Sequence, residues 1–185
     1  WAQAYPDIGF GVVLPRVVWD RELPRLRREL EAARQAGVTQ ALLGHIGQLP
    51  LARSFGLIPR GDFGLGLTND ETAAELARLG FASATASFES RLAQIRDLSK
   101  PLDLELLVYG RLPLMLMEHC ILRNRGQGCH CQDKPQSLGD RKGEHFPVES
   151  AWGCRNELFN AKPLWLADKT DWRTAGAAYA RLAFL

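Results

Sequence analysis

The first 110 residues alternate between short apolar stretches and amphipathic stretches, and no other feature restricts the fold as strongly. Five stretches have the pattern of buried strands: 10–15, 39–44, 62–68, 81–89 and 104–110. Four intervening stretches have the pattern of helices: 21–37, 48–56, 69–80 and 90–99. Short strands separated by helices of this kind are typical of βαβ units, which build a parallel sheet.

The helix boundaries are marked by capping residues. The 69–80 stretch offers Asn69 or Asp70 as an N-cap and Gly80 as a stop, and the 21–37 stretch ends on Gly37. Five strands are too few for a complete eight-stranded barrel. We therefore predict an α/β fold with a partial (β/α) barrel-like parallel sheet, and an open doubly wound sheet is the alternative.

The character of the chain changes after residue 110. We predict a half-barrel-like domain over 1–110 and a loop-rich, cysteine-bearing metal-binding segment over 111–185 that packs on it. Within this segment, residues 140–147 predict a turn around Gly143 between two short strands. Residues 179–185 predict a final strand.

Composition narrows the class of protein. The chain has 185 residues, 46% of them hydrophobic, and a net charge of +2, which is too small to indicate nucleic-acid binding by itself. It has no apolar run of about 18 residues, so we expect no membrane span, and we expect no DNA partner. The first residue is Trp1 and no targeting segment follows it. We therefore expect a cytoplasmic piece of a larger chain, whose remaining domains are its partners.

All four cysteines lie in one polar segment, at Cys120, Cys129, Cys131 and Cys154. Four thiolates suit tetrahedral zinc or an iron–sulfur cluster. The segment is too poor in apolar residues to form a core, so a metal would supply its order. The alternatives are four reduced cysteines that simply pack, or disulfides from Cys129 or Cys131 to either of the others.

Other side chains near the cysteines could modify such a site. His119 and His130 flank cysteines, and either could replace one ligand. Four basic side chains could offset the charge of the thiolates: Lys134, Arg141, Lys142 and Arg155. The loop 124–128 and the turn at 140–142 could instead contact RNA.

Several stretches together resemble one known family. "VYGRLPLMLMEHCIL", "LGDRKGEHFPV" and "CRNELFNAKPLWLAD" are similar to the later part of the large collagenase-like peptidases of family U-thirty-two. "VVLPRV", "GDFGLGLTN" and "SFE" resemble strands that precede the cysteine segment there. The resemblance covers nearly the whole chain.

The resemblance implies a modified (β/α) barrel and a metal centre. Its better-understood members resemble oxygen-independent hydroxylation factors, some of which act on RNA with prephenate as the oxygen source and others in ubiquinone synthesis. Those members hold a [4Fe–4S] cluster through four cysteines. By resemblance, the corresponding residues here are Cys120, Cys129, Cys131 and Cys154.

The chain departs from the family pattern at one place. The family has a cysteine soon after the His-Gly that ends a strand, whereas Tyr109-Gly110 is followed here by Arg111, Leu112 and Pro113. Cys129 and Cys131 also lie unusually close together. We therefore favour zinc over [4Fe–4S] for this module.

Polar residues that follow the strands are further candidates, because functional groups in (β/α) folds lie at the carboxyl ends of strands. They are Arg16, His45, Asn69, Glu89, Tyr109, Arg111, Glu118 and His119. Arg16 and Arg111 could bind a phosphate or carboxylate, or could equally bind loop carbonyls. Glu89 could act as an acid or base, or could cap a helix.

Three functions follow from these observations. The first is a metal-binding module of a factor for prephenate-dependent pyrimidine hydroxylation in RNA. The second is a non-catalytic, zinc-stapled interaction domain. The third is a peptidase, for which the chain offers only Cys120 beside His119, with no H-E-x-x-H or G-x-S-x-G pattern. Whether the chain is itself an enzyme is left open by its sequence.

Overall fold

The computed structural model describes residues 4–123, 135–169 and 171–184. Two compact units can be distinguished within the chain. Unit 1 comprises Trp1–Leu107 and Lys169–Arg181, and unit 2 comprises Val108–Asp168 and Leu182–Leu185. The predicted division into 1–110 and 111–185 stays a prediction.

Strands and helices alternate through the first half of the chain, as the sequence pattern predicts. The described strands are β1 (Gly11–Val13), β2 (Gln40–Leu43), β3 (Ile58–Gly61), β4 (Ser83–Thr85), β5 (Asp103–Gly110), β6 (Pro113–Met117), β7 (Gln136–Gly139), β8 (His145–Ala151), β9 (Arg155–Phe159), β10 (Leu164–Trp165) and β11 (Tyr179–Leu182). The described α-helices are α1 (Leu23–Gln35), α2 (Leu49–Ser54), α3 (Asp70–Arg78) and α4 (Leu92–Asp97).

The parallel sheet confirms the predicted fold class. Strands β1 to β5 lie side by side in chain order, and each neighbouring pair is parallel. Strand β11 pairs with β5. The fold is α/β with a partial (β/α) barrel-like parallel sheet, because each crossover carries an α-helix from one parallel strand to the next.

Capping explains where the predicted helices begin and end. Asn69 is the N-cap of α3, and its side chain accepts a hydrogen bond of 2.9 Å from the Thr72 N–H. Gly37 and Gly80 follow α1 and α3 with φ of +90° and +74°, a conformation that glycine adopts without steric cost. The apolar sides of α1 and α3 contribute buried residues such as Leu30 and Leu76 to the core of unit 1.

The prediction for the third strand is wrong. The strand is β3, Ile58–Gly61, whereas the sequence pattern indicates 62–68. After β3, the Asp62 carboxylate accepts a hydrogen bond of 2.9 Å from the Phe63 N–H and caps a short 3-10 turn over Phe63–Leu65. The proline within β3 conceals this strand in the sequence, and the apolar residues 63–67 imitate one.

Unit 2 contains a four-stranded antiparallel sheet with the strand order β6-β9-β8-β7. The turn predicted around Gly143 is confirmed between β7 and β8. The Asp140 carboxylate accepts hydrogen bonds from the Lys142 and Glu144 N–H groups, and Gly143 has a φ of +82°. Strands β6 and β9 were not assigned from the sequence, although β6 is an apolar stretch.

In the described residues, no helix is both long enough and apolar enough to cross a bilayer.

Candidate metal centre

The antiparallel sheet of unit 2 brings the ends of β6, β8 and β9 together. Met117, the last residue of β6, pairs with Asn156 near the start of β9. Ala151, the last residue of β8, pairs with Arg155, the first residue of β9. Since neighbouring strands run in opposite directions, the chain after β6 and the chain before β9 leave the sheet at the same end.

Strand β7 also begins at this end of the sheet. Strand β7 begins at Gln136, which pairs with Val148 of β8, and β7 runs antiparallel to β8. The chain that leads into β7 therefore meets the sheet at the end where β6 and β8 finish. Cys120 follows β6, Cys154 precedes β9, and 129 and 131 precede β7. We refer to this end of the sheet as the cysteine end.

Buried polar side chains tie the two described cysteine segments together. Arg155 is only 2% exposed, and its Nε donates a hydrogen bond of 2.6 Å to Glu118 Oε2 while Nη2 donates to Oε1 at 3.2 Å. Asn156 is 1% exposed, and its Oδ1 accepts a hydrogen bond of 2.8 Å from the Ile121 N–H. These contacts reach residues on both sides of Cys120 from residues directly after Cys154. The backbone that carries the two thiols is thus fixed before any metal binds.

Arg155 has a structural partner at this place. The sequence analysis expected Arg155 to offset the charge of thiolates. Its burial is already explained by Glu118, whose carboxylate contacts the guanidinium at two points. The Trp152 carbonyl accepts a further hydrogen bond of 3.1 Å from Nη1. Glu118 itself, a candidate acid from the sequence, is engaged by this arginine.

Cys154 has an unusual backbone conformation. It is the one non-glycine residue with positive φ among the described residues, at +62°, and it follows Gly153 at +78°. A left-handed conformation costs a residue with a side chain roughly 1 kcal/mol or more relative to glycine. Such strain is found most often at binding sites, where the fold imposes a direction on one side chain.

The two described cysteines have free thiols that are accessible to a metal ion. Cys120 is half-buried and Cys154 is exposed, and neither is in a disulfide. Cys129, Cys131, His130 and Lys134 lie outside the described residues, as does the loop 124–128. Among residues 4–123, 135–169 and 171–184, no group of three or more His, Cys, Asp or Glu has the arrangement of a metal site. Two thiols at one end of a sheet are a partial ligand set for a soft or borderline metal.

Arg111 binds the backbone. Its Nη1 donates a hydrogen bond of 2.9 Å to the Asn160 carbonyl and a second one to the Ala161 carbonyl. These are the loop carbonyls that the sequence offered as one alternative for this arginine. No carboxylate in the described part of the chain pairs with it.

Four of the other candidates lie in unit 1: Arg16, His45, Asn69 and Glu89. His45 precedes a short 3-10 turn, and its backbone N–H donates to Gln48 Oε1 at 3.4 Å. Arg16 stacks its guanidinium 5.2 Å from the centre of the Phe63 ring. Asn69 caps α3. Glu89 is exposed and its backbone N–H donates to Ser87 Oγ at 3.3 Å. The residue before α4 is Arg91, so the N-cap of that helix is not Glu89.

The sequence analysis missed a charged network in unit 1. Arg181 of β11 donates a hydrogen bond of 2.6 Å to Asp62 Oδ1, one of 2.7 Å to Thr85 Oγ1, and forms an ion pair with Glu105. Thr85 Oγ1 also donates to Glu105 Oε1 at 2.7 Å. All of these side chains are buried or nearly so. Arg181 bridges side chains from β4, β5 and the loop after β3, so the network ties β11 to these elements, which favours a structural role.

A weak signal for this network was present in the sequence. Glu105 interrupts the apolar β5, and Arg181 interrupts the apolar terminal strand. A charge inside a buried strand requires a partner of opposite charge. The sequence could not identify the pairing, because it joins residues more than 70 positions apart.

No family model, no curated protein and no solved structure matches this chain. The family resemblance of its cysteine segment and strands therefore stays a prediction.

Proposed function

We propose that this chain is a metal-binding module whose ligands are Cys120, Cys129, Cys131 and Cys154. The observation that carries the proposal is the topology of the antiparallel sheet in unit 2. The chain leaves β6 toward Cys120 and enters β9 from Cys154 at the same end of this sheet, and β7, which follows Cys129 and Cys131 in the sequence, begins at that end. Neither simple packing nor a random distribution of cysteines predicts such a convergence.

The local structure also supports a metal. Hydrogen bonds from Arg155 to Glu118 and from the Ile121 N–H to Asn156 hold the neighbours of Cys120 against the residues directly after Cys154. The positive φ of Cys154 directs one thiol at a cost that a metal–thiolate bond can offset.

Zinc is the metal that we favour, and [4Fe–4S] is the alternative. Thiolates accept both. The position where the resembling family places a further cysteine, just after Gly110, is occupied here by Arg111, which is bound to two backbone carbonyls. A closed four-thiolate zinc site supplies structural order, whereas an iron–sulfur cluster supplies electrons.

For the larger protein, we propose a role in RNA modification, as a factor for prephenate-dependent pyrimidine hydroxylation. The support is the resemblance of the cysteine segment to the hydroxylation factors of the U-thirty-two family. Its partners would be RNA and the remaining domains of the parent chain. We propose a cytoplasmic location, where thiols are kept reduced for metal binding.

The test of this role is mass spectrometry of RNA from cells that lack the parent gene. We expect one hydroxylated pyrimidine to disappear, to return with the full-length gene, and to stay absent when Cys120 and Cys154 are both replaced by serine. An unchanged inventory of modified nucleosides would contradict the role in RNA modification and would leave the metal proposal to be judged separately.

The second candidate is a non-catalytic, zinc-stapled interaction domain. Arg111 in place of a cysteine favours it, because a site without that ligand departs from the catalytic pattern. It predicts that the Cys120→Ser variant loses zinc and unfolds in unit 2, while the parent protein with its other domains intact keeps its reaction. Loss of the modified pyrimidine in a folded Cys120→Ser parent would contradict this second candidate.

A further inference from the structure

One buried arginine in unit 2 is bonded to the chain ahead of both described cysteines. The Arg155 guanidinium donates to the two carboxylate oxygens of Glu118, at 2.6 and 3.2 Å, and to the Trp152 carbonyl at 3.1 Å. Glu118 lies two residues before Cys120, and Trp152 lies two residues before Cys154. A single side chain therefore links the two segments that carry these thiols.

The chain that follows Cys120 is attached to the same place. The Ile121 N–H donates a hydrogen bond of 2.8 Å to the side chain of Asn156. Leu122, the next residue, is buried. The residues on both sides of Cys120 are thus held against the start of β9, directly after Cys154.

Stability alone is a poor explanation for this ion pair. Arg155 is almost completely buried, and taking a guanidinium out of water costs free energy that its attraction to a carboxylate often no more than offsets. The pair supplies direction, which an apolar contact does not, because a guanidinium and a carboxylate meet in a planar, two-point geometry. Metal sites need such direction, since their ligands must stand within about 0.5 Å of the required positions.

We propose that Arg155 is a positioning residue for the metal. Through Glu118 and the Trp152 carbonyl, it holds the backbones of Cys120 and Cys154 in the arrangement that one tetrahedral ion requires. The positive φ of Cys154 fits this role, because the turn that imposes it lies between the two ends of the Arg155–Trp152 hydrogen bond. This inference rests on the proposed function, since it requires both cysteines to be ligands.

Arg155→Met is the informative change. Methionine is apolar and long enough to fill much of the space, and the carboxylate left behind belongs to Glu118, whose side chain is 52% exposed and can be solvated by water. Glu118→Ala is less suitable, because it would leave the guanidinium buried without its carboxylate. We therefore expect Arg155→Met to fold and to disturb the metal site more than the stability of the sheet.

The test uses cobalt(II) as a coloured substitute for zinc in the full, reduced chain. The thiolate-to-cobalt charge-transfer band reports the number of thiolate ligands, and the d–d bands report the geometry around the ion. We expect Arg155→Met to keep the charge-transfer intensity of wild type and to shift the d–d bands. It should bind cobalt and zinc about 10–100-fold more weakly, as loss of a supporting contact does at metal sites. Urea unfolding of the metal-free protein should change little.

Two further variants make the test specific. Arg141→Met makes the same substitution at an exposed arginine in the turn between β7 and β8, at the opposite end of the sheet from the cysteine end, and should behave as wild type. Arg155→Lys keeps the positive charge but loses the planar two-point contact, so it should also bind metal more weakly. If Arg155→Met does not fold, Arg155→Lys decides the question by the same spectrum and affinities.

The outcomes separate this inference from the proposed function. A wild-type chain that binds neither cobalt nor zinc contradicts the metal centre itself, and the positioning role with it. If wild type binds metal and the Arg155 variants match its affinity and its d–d bands, only the positioning role is overturned. A lower urea midpoint of the metal-free variants, with spectrum and affinity unchanged, would assign Arg155 to stability alone and would likewise overturn the inference.

Discussion

Cys154 combines a thiol with a backbone conformation that thiols rarely adopt. Its φ of +62° places it in the left-handed region beside Gly153, and the Arg155 and Asn156 side chains that follow are almost fully buried. The strain is held in place by these buried contacts. The cysteine is thereby oriented by the fold, as the proposed metal site requires.

Two replacements of Cys154, by glycine and by alanine, separate the free-energy cost of its backbone strain from the loss of a metal ligand. Without metal, Cys154→Gly should be more stable than Cys154→Ala by about 1 kcal/mol, because glycine adopts positive φ freely. Both variants should lose the same ligand and bind metal equally poorly. Urea unfolding of the metal-free proteins measures the difference, and equal stabilities would show that the conformation at residue 154 carries no strain.

At the scale of single residues, the sequence indicated which side chains make important contacts better than it indicated what they contact. It offered loop carbonyls as one alternative for Arg111, and these are what Arg111 binds. It treated Arg155 as a counter-charge for thiolates, whereas Arg155 is buried against Glu118. Partners are decided by strand register, and the register of β6 and β9 was not visible in the sequence.

Strand β11 depends on one buried charge in the interior of unit 1. Arg181 joins Asp62, Thr85 and Glu105, and all four side chains are largely removed from water. Removal of the arginine would leave two carboxylates without their partner in a poorly solvated place. Strand β11 has few backbone hydrogen bonds because it is short, so we expect this network to contribute much of the stability of its pairing.

We predict that Arg181→Met destabilises unit 1 by about 2–4 kcal/mol and accelerates amide exchange throughout β11. The control is Arg78→Met, which breaks an exposed helical pair in which the hydrogen bond from Arg78 lowers the pKa of Glu75. That change should have little effect, because exposed pairs contribute little to stability. Equal effects of the two variants would contradict a structural role for the buried network.

The loops that follow β2 and β3 approach each other so closely that only glycine fits. A Cβ atom added at Gly64 would collide with the carbonyl oxygen of Gly44. This contact requires glycine at position 64, and a φ of +65° favours glycine at position 66 of "FGLG", a stretch that the sequence analysis assigned to a strand. The wrong assignment arose because close backbone approach and strand pattern look alike in one sequence.

We predict that Gly64→Ala destabilises the chain by about 1–3 kcal/mol through this collision. The control is Gly11→Ala in β1, where an added Cβ would meet its nearest neighbour at an ordinary 3.5 Å. That variant should stay within about 0.5 kcal/mol of wild type. The midpoint of thermal or urea unfolding measures both, and a neutral Gly64→Ala variant would show that the two loops can separate freely.

At the scale of the whole molecule, the sequence predicted the parallel α/β sheet because hydrophobic periodicity and helix caps are local signals. In the antiparallel sheet of unit 2, only the turn between β7 and β8 was predicted, because it is local. The pairing of β6 with β9 is decided by contacts between distant segments, which leave no local signal. The four cysteines were noticed in the sequence, but the position of Cys120 and Cys154 at the same end of one sheet required the structure.

The central claim is that four cysteines at the cysteine end hold one metal centre. Its most direct test is to purify the chain anaerobically and to measure zinc, iron and acid-labile sulfide per chain. We predict about one zinc per chain, or about four irons with matching sulfide if the centre is a cluster. The metal should be lost in Cys120→Ser and in Cys154→Ser. Protein that is folded, reduced and free of all three would contradict the account.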